Sequence, residues 1–497
     1  MTNTLKVILW GDEIGRLAWD AHRKRSYFIY NAEWLKKGLN ISPLVAPVEG
    51  SRVMMPVWGE DAKIYQRLPA FVADSLPDAW GNQLFELWRK QNRLSNSEIN
   101  PLDKLSFIGK RGMGALEFQP EYARERGAEK IDMKSLADLA ERIYTERENA
   151  RINADESITM QSLLRVGTSA GGRQPKAIIA INQNTGEIRS GQISGLAGYE
   201  YYLLKFGNTQ YSSAELEMTY YEMATLAGIR MMPSGLYAVE SNNHFITKRF
   251  DRDGERKIYT QTLAAISPDA ESYEQLITVC RKLHLPESDC QEVFRRMVFN
   301  ILANNTDDHN KNFSFIMNED GSWRLSPAYD ITYIIDNGGF LPNEDHCLYI
   351  RAKLRGITRD DVIQFAQNNG IRRPDSIIRE VAEALKQFRT IATKYKVSEQ
   401  WTGRVEITIT NHLKAWGELE NNTNLSELIL DGHTVSSIRI EQAYKGNYHL
   451  LAVIDGKECK YVIGKNREEF SMIENTGISH LTPEQLLAMA EKFFSLG

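Results

Sequence analysis

The chain opens on an alternation of apolar and polar positions. Leu5, Val7 and Leu9 share one face, Gly11 and Asp12 interrupt, and Ile14 and Leu17 resume, which is the period-two pattern of a hairpin. The period then changes. In LPDAWGNQLFELWRKQN (76–92), Leu84, Phe85 and Trp88 recur at helical intervals behind a Pro-Asp turn, so a small mixed module is expected over the first hundred or so residues. Residues 127–158 are polar and charged and predict a solvated helix leading into a loop, a natural domain seam. From Leu163 onward, strands come first (KAIIAI, YYLLKF, GLYAVE, HFITKRF) and helices later. Among the helices is 291–303, with Phe294, Val298, Ile301 and Leu302 on one stripe. That order is α+β, a smaller sheet lobe before a helical lobe. After about Asn421, Ile438 and Ile440 alternate and YHLLAVIDGKECKYVIG turns at Asp455-Gly456. Thr482, Pro483 and Gln485 then form the start of a final helix, so an appended small α/β domain is expected.

One stretch combines strand alternation with dense polarity. In NNTDDHNKNFSF (304–315), Phe313 and Phe315 begin an alternation that Met317 continues. Glu319-Asp320-Gly321 is a turn signal, and Trp323 and Leu325 lead back to SPAYD (326–330). A hairpin centred near Gly321 would set Asn312 against Asp330, with Asp307 five positions upstream. An aspartate, four residues, an asparagine, then a hairpin returning a second aspartate is a layout suited to phosphoryl transfer. One carboxylate orients a hydroxyl and takes its proton, while an amide oxygen and the second carboxylate hold Mg²⁺ against ATP phosphates. Two plainer readings compete. Asp308, Asn310, Asn312 and Glu319 fall at calcium-loop positions, but Phe313 stands where that loop needs glycine. A polar turn capping the preceding helix would also explain the composition, and His309 alone decides nothing.

RVGTSAGGRQPKAIIAI (165–181) places Gly167, Gly171 and Gly172 before a strand, with Arg173 and Lys176 at its start, and reads as a phosphate cradle or a flexible turn. Lys205 ends an apolar strand, where a charge needs an anionic partner or a route to water. Phe250 closes a later strand, where it could cover an adenine ring or simply fill core. Composition narrows the partners. A net charge of -5 gives no global attraction to nucleic acid or anionic lipid. The four cysteines, Cys280, Cys290, Cys347 and Cys459, lack metal-ligand spacing and are expected to be reduced. Only Val7–Trp10 form an apolar run near the start, which fits neither signal peptide nor spanning helix, and a cytoplasmic location is expected.

In this order, LPDAWG (76–81), LSFIGKRGMGALEF (105–118), GTSAGGRQPKA (167–177), KRFDR (248–252), NNTDDHNKNFSF and SPAYD resemble the HipA-type serine/threonine protein kinases of bacterial toxin-antitoxin modules. The resemblance spans about residues 3–415. It implies a bilobal kinase-like fold with an N-terminal subdomain at 1–120, a sheet lobe at 121–250 and a helical lobe at 251–420. Residues 421–497 lie outside it. It further implies Asp307 as catalytic base, Asn312 and Asp330 as Mg²⁺ ligands, and Lys205 as the phosphate-pairing lysine. Thr168, Ser169, Ala170, Gly171, Gly172, Arg173 and Gln174 would line the ATP phosphates. Lys248 and Phe250 would form the adenine hinge, with His309 and Lys311 beside the nucleotide. Ser169, or Thr168 beside it, would be an inhibitory autophosphorylation site, since a dianion in a phosphate loop competes with ATP. Where relatives carry an acidic residue, Lys248 departs from the pattern. The implied substrates are translation components such as aminoacyl-tRNA synthetases. The implied partner is a helix-turn-helix antitoxin through which DNA is reached indirectly. A small-molecule kinase and a catalytically silent antitoxin-binding co-repressor are the alternatives from other classes.

Overall fold

The computed structural model describes residues 2–49, 53–54, 64–95, 99–122, 130–146, 159, 162–164, 174–192, 197–334 and 342–419, together with the backbone of strands at 428–430, 433–442, 448–454, 457–463 and 472–475. The opening alternation becomes strands β1 (Thr4–Leu9) and β2 (Asp12–Asp20), paired antiparallel with a bulge at Val7/Ile8. With β3 (Arg25–Tyr30), β4 (Val53–Met54) and β5 (Leu116–Gln119) they form a sheet ordered β4-β3-β2-β1-β5. Leu5, Val7, Leu9 and Ile14 are buried on its inner face, as period-two alternation requires.

The helix Ala79–Gln91 starts where LPDAWG suggests: Asp78 is its N-cap, with its side chain accepting from the Gly81 amide. Trp80, Leu84 and Phe85 are buried beneath it. The polar segment after residue 127 does contain a helix, Met133–Glu146, but Leu136, Leu139, Ala140 and Ile143 give it a buried face. That face packs in one cluster with Trp80, Phe85, Ile179 and Leu204, so the expected solvated seam is instead a packed element.

A second sheet is built from β6 (Lys176–Asn182), β7 (Ile188–Ser190), β8 (Tyr199–Lys205), β9 (Ser234–Val239) and β10 (Asn242–Lys248), ordered β7-β6-β8-β10-β9 and antiparallel throughout. The helix Ser213–Leu226 crosses from β8 to β9. After a short ribbon, β11 (Arg252–Asp253) with β12 (Arg256–Lys257), the chain turns helical. The helices Tyr273–Lys282, Glu287–Leu302, Pro374–Leu385 and Glu399–Ala415 share one large core that also takes in the inner face of the first sheet. Strands β13 (Tyr259–Thr262), β14 (Ser314–Met317) and β15 (Trp323–Leu325) form a three-stranded sheet against this core.

The N-terminal module is fastened to the rest by specific polar contacts. Tyr65 Oη donates to the Ala264 carbonyl at 2.7 Å, Trp10 Nε1 to the Lys257 carbonyl at 2.8 Å, and Asp74 accepts from both the amide and the hydroxyl of Thr262. The tail is an antiparallel meander, β16 (Leu428–Leu430) to β20 (Met472–Asn475), with β17 (His433–Gln442), β18 (Tyr448–Ile454) and β19 (Lys457–Ile463) between. Ile454 pairs with Lys457 across the expected turn, and the final helix predicted from Thr482 lies outside the described residues. No helix among the described residues is long and apolar enough to cross a membrane.

Candidate active site

The helix Glu287–Leu302 delivers the polar loop. Ala303 caps its C-terminus and Asn304 takes a left-handed conformation (φ 58°), which turns the chain out of the helix. The loop is then held by its own amides. Asn305 Nδ2 donates to Asn300 Oδ1 at 2.9 Å, and Asn312 Nδ2 to the Asp307 carbonyl at 2.7 Å. Asn304 Nδ2 reaches the Ile334 carbonyl, and the amides of Thr332 and Ile334 donate back to Asn305 Oδ1 and the Asn304 carbonyl. These bonds tie the Asp307 loop to the segment that follows Asp330.

The two adjacent aspartates divide into separate roles. Asp308 is fully buried and accepts from Tyr273 Oη, His346 Nδ1 and the Cys347 amide at 2.7, 2.8 and 2.8 Å. Three contacts of that kind make it a structural acceptor. Asp307 presents a half-exposed side chain (53%), with His309 Nε2 and Cys347 Sγ each 3.9 Å from its Oδ1. Cys347, which no sequence signal connects with this loop, is thus the aspartate's neighbour. Its thiol is pushed up to about 12 by burial first and by the Asp308 and Asp307 carboxylates second.

The hairpin is real, but its register differs from expectation. Phe315 faces Leu325 and Met317 faces Trp323, so the turn centres on Asp320 rather than Gly321. Asn312 would therefore lie opposite Ala328, whose amide is drawn instead to the Arg230 carbonyl. Asp330 sits two residues further along, itself left-handed (φ 58°), and is not a cross-strand partner of Asn312. Single-residue turn signals such as Glu-Asp-Gly leave the centre ambiguous by one position, and one position moves every pairing.

Asp330 has a different close partner. Lys205 Nζ, at the end of β8, donates to both Asp330 Oδ1 and Glu217 Oε1, and the lysine and glutamate side chains are each only 6% exposed. Burial alone would lower the lysine, yet the carboxylates of Asp330 and Glu217 together hold it well above its ordinary value. Burial likewise would raise Asp330, but Lys205 and then Lys176 bring its carboxyl down to about 2. Sequence reasoning missed Glu217. The available signal was an acidic residue between Leu216 and Met218 on an otherwise buried helix face, twelve positions after Lys205.

The remaining expected residues are placed as follows. Phe250 stacks on Tyr329 with centroids 5.6 Å apart, next to Asp330, and Tyr329 Oη donates to the Lys311 carbonyl at 2.8 Å. The Lys248 ammonium is paired with Glu200 across the sheet, so its backbone is the part left for a hinge role. Gln174 Nε2 donates to the Phe206 carbonyl at 2.9 Å, beside the end of β8. Thr168, Ser169, Ala170, Gly171, Gly172 and Arg173 lie outside the described residues.

For a divalent cation the donor chemistry fits. Asp330 is held ionised, and the Asn312 amide spends its nitrogen on a carbonyl, which leaves its oxygen for a cation. Hard oxygen donors of this kind suit Mg²⁺. The arrangement can bind a charged phosphate beside Lys205 while Asp307 faces an incoming group from the solvent side.

Comparison with known proteins gives the family and the fold. Residues 5–119 match the HipA N-terminal domain and residues 168–388 the HipA-like C-terminal domain. A Haemophilus influenzae protein described as "Putative kinase" is 25% identical over 280 residues, covering 49% of this chain and 79% of that protein. A similarly described protein of Sinorhizobium fredii is 25% identical over 201 residues, covering 38% of this chain and 48% of its own length. The solved Shewanella oneidensis HipA, in complex with HipB and its operator DNA, superposes with a TM-score of 0.59 at 19% identity. It covers 83% of this chain and 96% of that one, a likeness of fold.

Proposed function

The chain belongs to the HipA-like family, and from that premise we propose that it is an ATP- and Mg²⁺-dependent serine/threonine protein kinase. One observation carries this reading. A buried lysine bridges a helix glutamate and Asp330, and Asp330 adjoins a loop that presents an exposed aspartate and an asparagine five positions later. Asp307 accepts the proton of the acceptor hydroxyl, from a half-exposed position that a protein substrate can reach. Lys205 has a carboxylate on either side, which fixes its ammonium at the end of β8, where it would meet an ATP phosphate. Asn312 and Asp330 would hold Mg²⁺, which neutralises charge on the transferring phosphates. Phe250 and the Lys248 backbone serve the adenine, and His309 and Lys311 lie beside the phosphates. Thr168 to Gln174, of which only Gln174 is among the described residues, are assigned to the ATP phosphates in this reading.

The protein substrate in this reading is a translation component such as an aminoacyl-tRNA synthetase. Ser169, or Thr168, is the autoregulatory acceptor. A HipA of similar fold is solved with its HipB partner and operator DNA, which supports an antitoxin partner here and contact with DNA through that partner. The test is incubation of the purified chain with MgATP and cell extract, followed by phosphosite mass spectrometry. Phosphate on an extract protein and on Ser169 or Thr168 is expected. Phosphate on a metabolite but on no protein, or on nothing at all, would overturn the protein-kinase reading.

A further inference from the structure

Strands β6 and β8 pair in a register that sets Lys176 directly opposite Lys205. Like charges placed so across a ladder repel, and both side chains are buried, 2% and 6% exposed. Carboxylates divide around them. Lys205 has Glu217 and Asp330, while Lys176 has Asp78 Oδ2 at 3.7 Å and lies in the field of Asp330 and Glu217.

Asp78 arrives from a separate part of the chain, the LPDAWG motif of the N-terminal module. Its Oδ1 accepts from the Gly81 amide at 2.6 Å as the cap of the helix Ala79–Gln91. Its Oδ2 is buried and accepts no hydrogen bond among the described residues, so its role there is that of a counter-charge. Two residues on, Trp80 Nε1 donates to the Lys176 carbonyl at 3.1 Å. One turn of the N-terminal module thus grips both the backbone and the charge of Lys176.

We propose that Asp78 is a positioning residue for the phosphotransfer centre, holding the Lys176 ammonium off Asp330 so that the Asp330 carboxylate stays open to a divalent cation. The inference rests on the reading of Asp330 as a cation ligand. With Asp78 neutralised, Lys176, set opposite Lys205 across the ladder, leans instead on Asp330, the carboxylate that Lys205 already holds at the end of β8. That position then competes with the cation. The N-terminal module is in this way part of the kinase site, and anything that shifts the helix Ala79–Gln91 shifts cation affinity.

Asp78→Asn separates the two roles of the residue, because asparagine caps a helix as well as aspartate does and only the charge is lost. The measurement is ATP affinity by calorimetry, with excess Mg²⁺ and with EDTA, alongside the melting temperature. In Asp78→Asn the tightening of ATP binding by Mg²⁺ should shrink about three- to tenfold, as expected for releasing one opposed charge in a partly screened site. ATP affinity in EDTA should be unchanged or tighter. Asp78→Glu, which keeps the charge, should retain the Mg²⁺ effect even if its melting temperature falls. A full Mg²⁺ effect in Asp78→Asn, or an equal loss in Asp78→Glu, would reduce Asp78 to a cap and overturn the proposal. A wild-type chain that binds ATP with no gain from Mg²⁺ would remove the cation reading itself, and the inference with it.

Discussion

Replacing Lys205 with methionine keeps the length of the side chain and deletes its charge, leaving Glu217 (6% exposed) and Asp330 (31% exposed) facing each other without their shared cation. Breaking a buried ion pair from one side costs about 3–5 kcal/mol, because the orphaned charge stays desolvated. Part of that figure can be assigned. Asp330 titrates near 2 in the folded chain against 3.8 ordinarily. Trimmed for its partial exposure, the depression contributes about 1–2 kcal/mol. A depressed carboxyl gives stability that is present above its unfolded value and lost as pH falls through the folded one, so the wild type keeps this contribution down to about pH 4. In Lys205→Met the sign reverses. Burial and mutual repulsion raise both carboxyls above their unfolded values, so the variant is penalised most at neutral pH and relieved as it takes up protons. Thermal melts by circular dichroism at about pH 7 should show a drop of about 3–5 °C, narrowing at about pH 5. A drop under about 2 °C, or one that widens on acidification, would refute the argument that Lys205 holds two ionised carboxylates together.

Asp307→Asn should lower phosphate transfer by about 10²–10⁴-fold with the melting temperature and ATP affinity unchanged, since its side chain is half exposed; filter-binding and melting assays on the same preparation check this. Asp308→Ala should act the other way round. It strands the donors of Tyr273, His346 and Cys347 and should cost about 3 kcal/mol of stability, visible in urea unfolding whether or not activity is measured. Cys347, held up near 12, should react with iodoacetamide at about pH 8 at least ~100-fold more slowly than free cysteine. Asp307→Asn should speed that reaction by removing a neighbouring negative charge, and labelling as fast as free cysteine would contradict the geometry around the loop.

What the sequence revealed follows from which interactions are local. The β1–β2 hairpin, the cap at Asp78 and the helix Glu287–Leu302 depend on periodicity and on residues within a few positions, and all were readable. The spacing of Asp307, Asn312 and Asp330 was legible as a pattern, since a loop and a hairpin separate them by under two dozen positions, but the close partner of Asp330, Lys205, was not. The hairpin register was not, since the turn signal Glu319-Asp320-Gly321 allows two centres and packing chose Asp320. The long-range partners were hidden. Nothing near Lys176 in sequence announces Asp78, almost a hundred positions earlier, and the flanking Leu216 and Met218 mark Glu217 as buried without naming Lys205 as its partner. Those pairings arise only when β6 and β8 align two lysines and the fold supplies carboxylates to separate them. The burial of the helix Met133–Glu146 was likewise hidden, its apolar positions diluted by flanking charge.

The most direct test is a crystal structure of the chain with Mg²⁺ and a non-hydrolysable ATP analogue. A cation held by Asn312 Oδ1 and Asp330, the γ-phosphate within reach of Lys205, and Asp307 on the open side facing it are expected. A nucleotide bound elsewhere, or a cation with neither Asn312 nor Asp330 among its ligands, would contradict this assignment of the site.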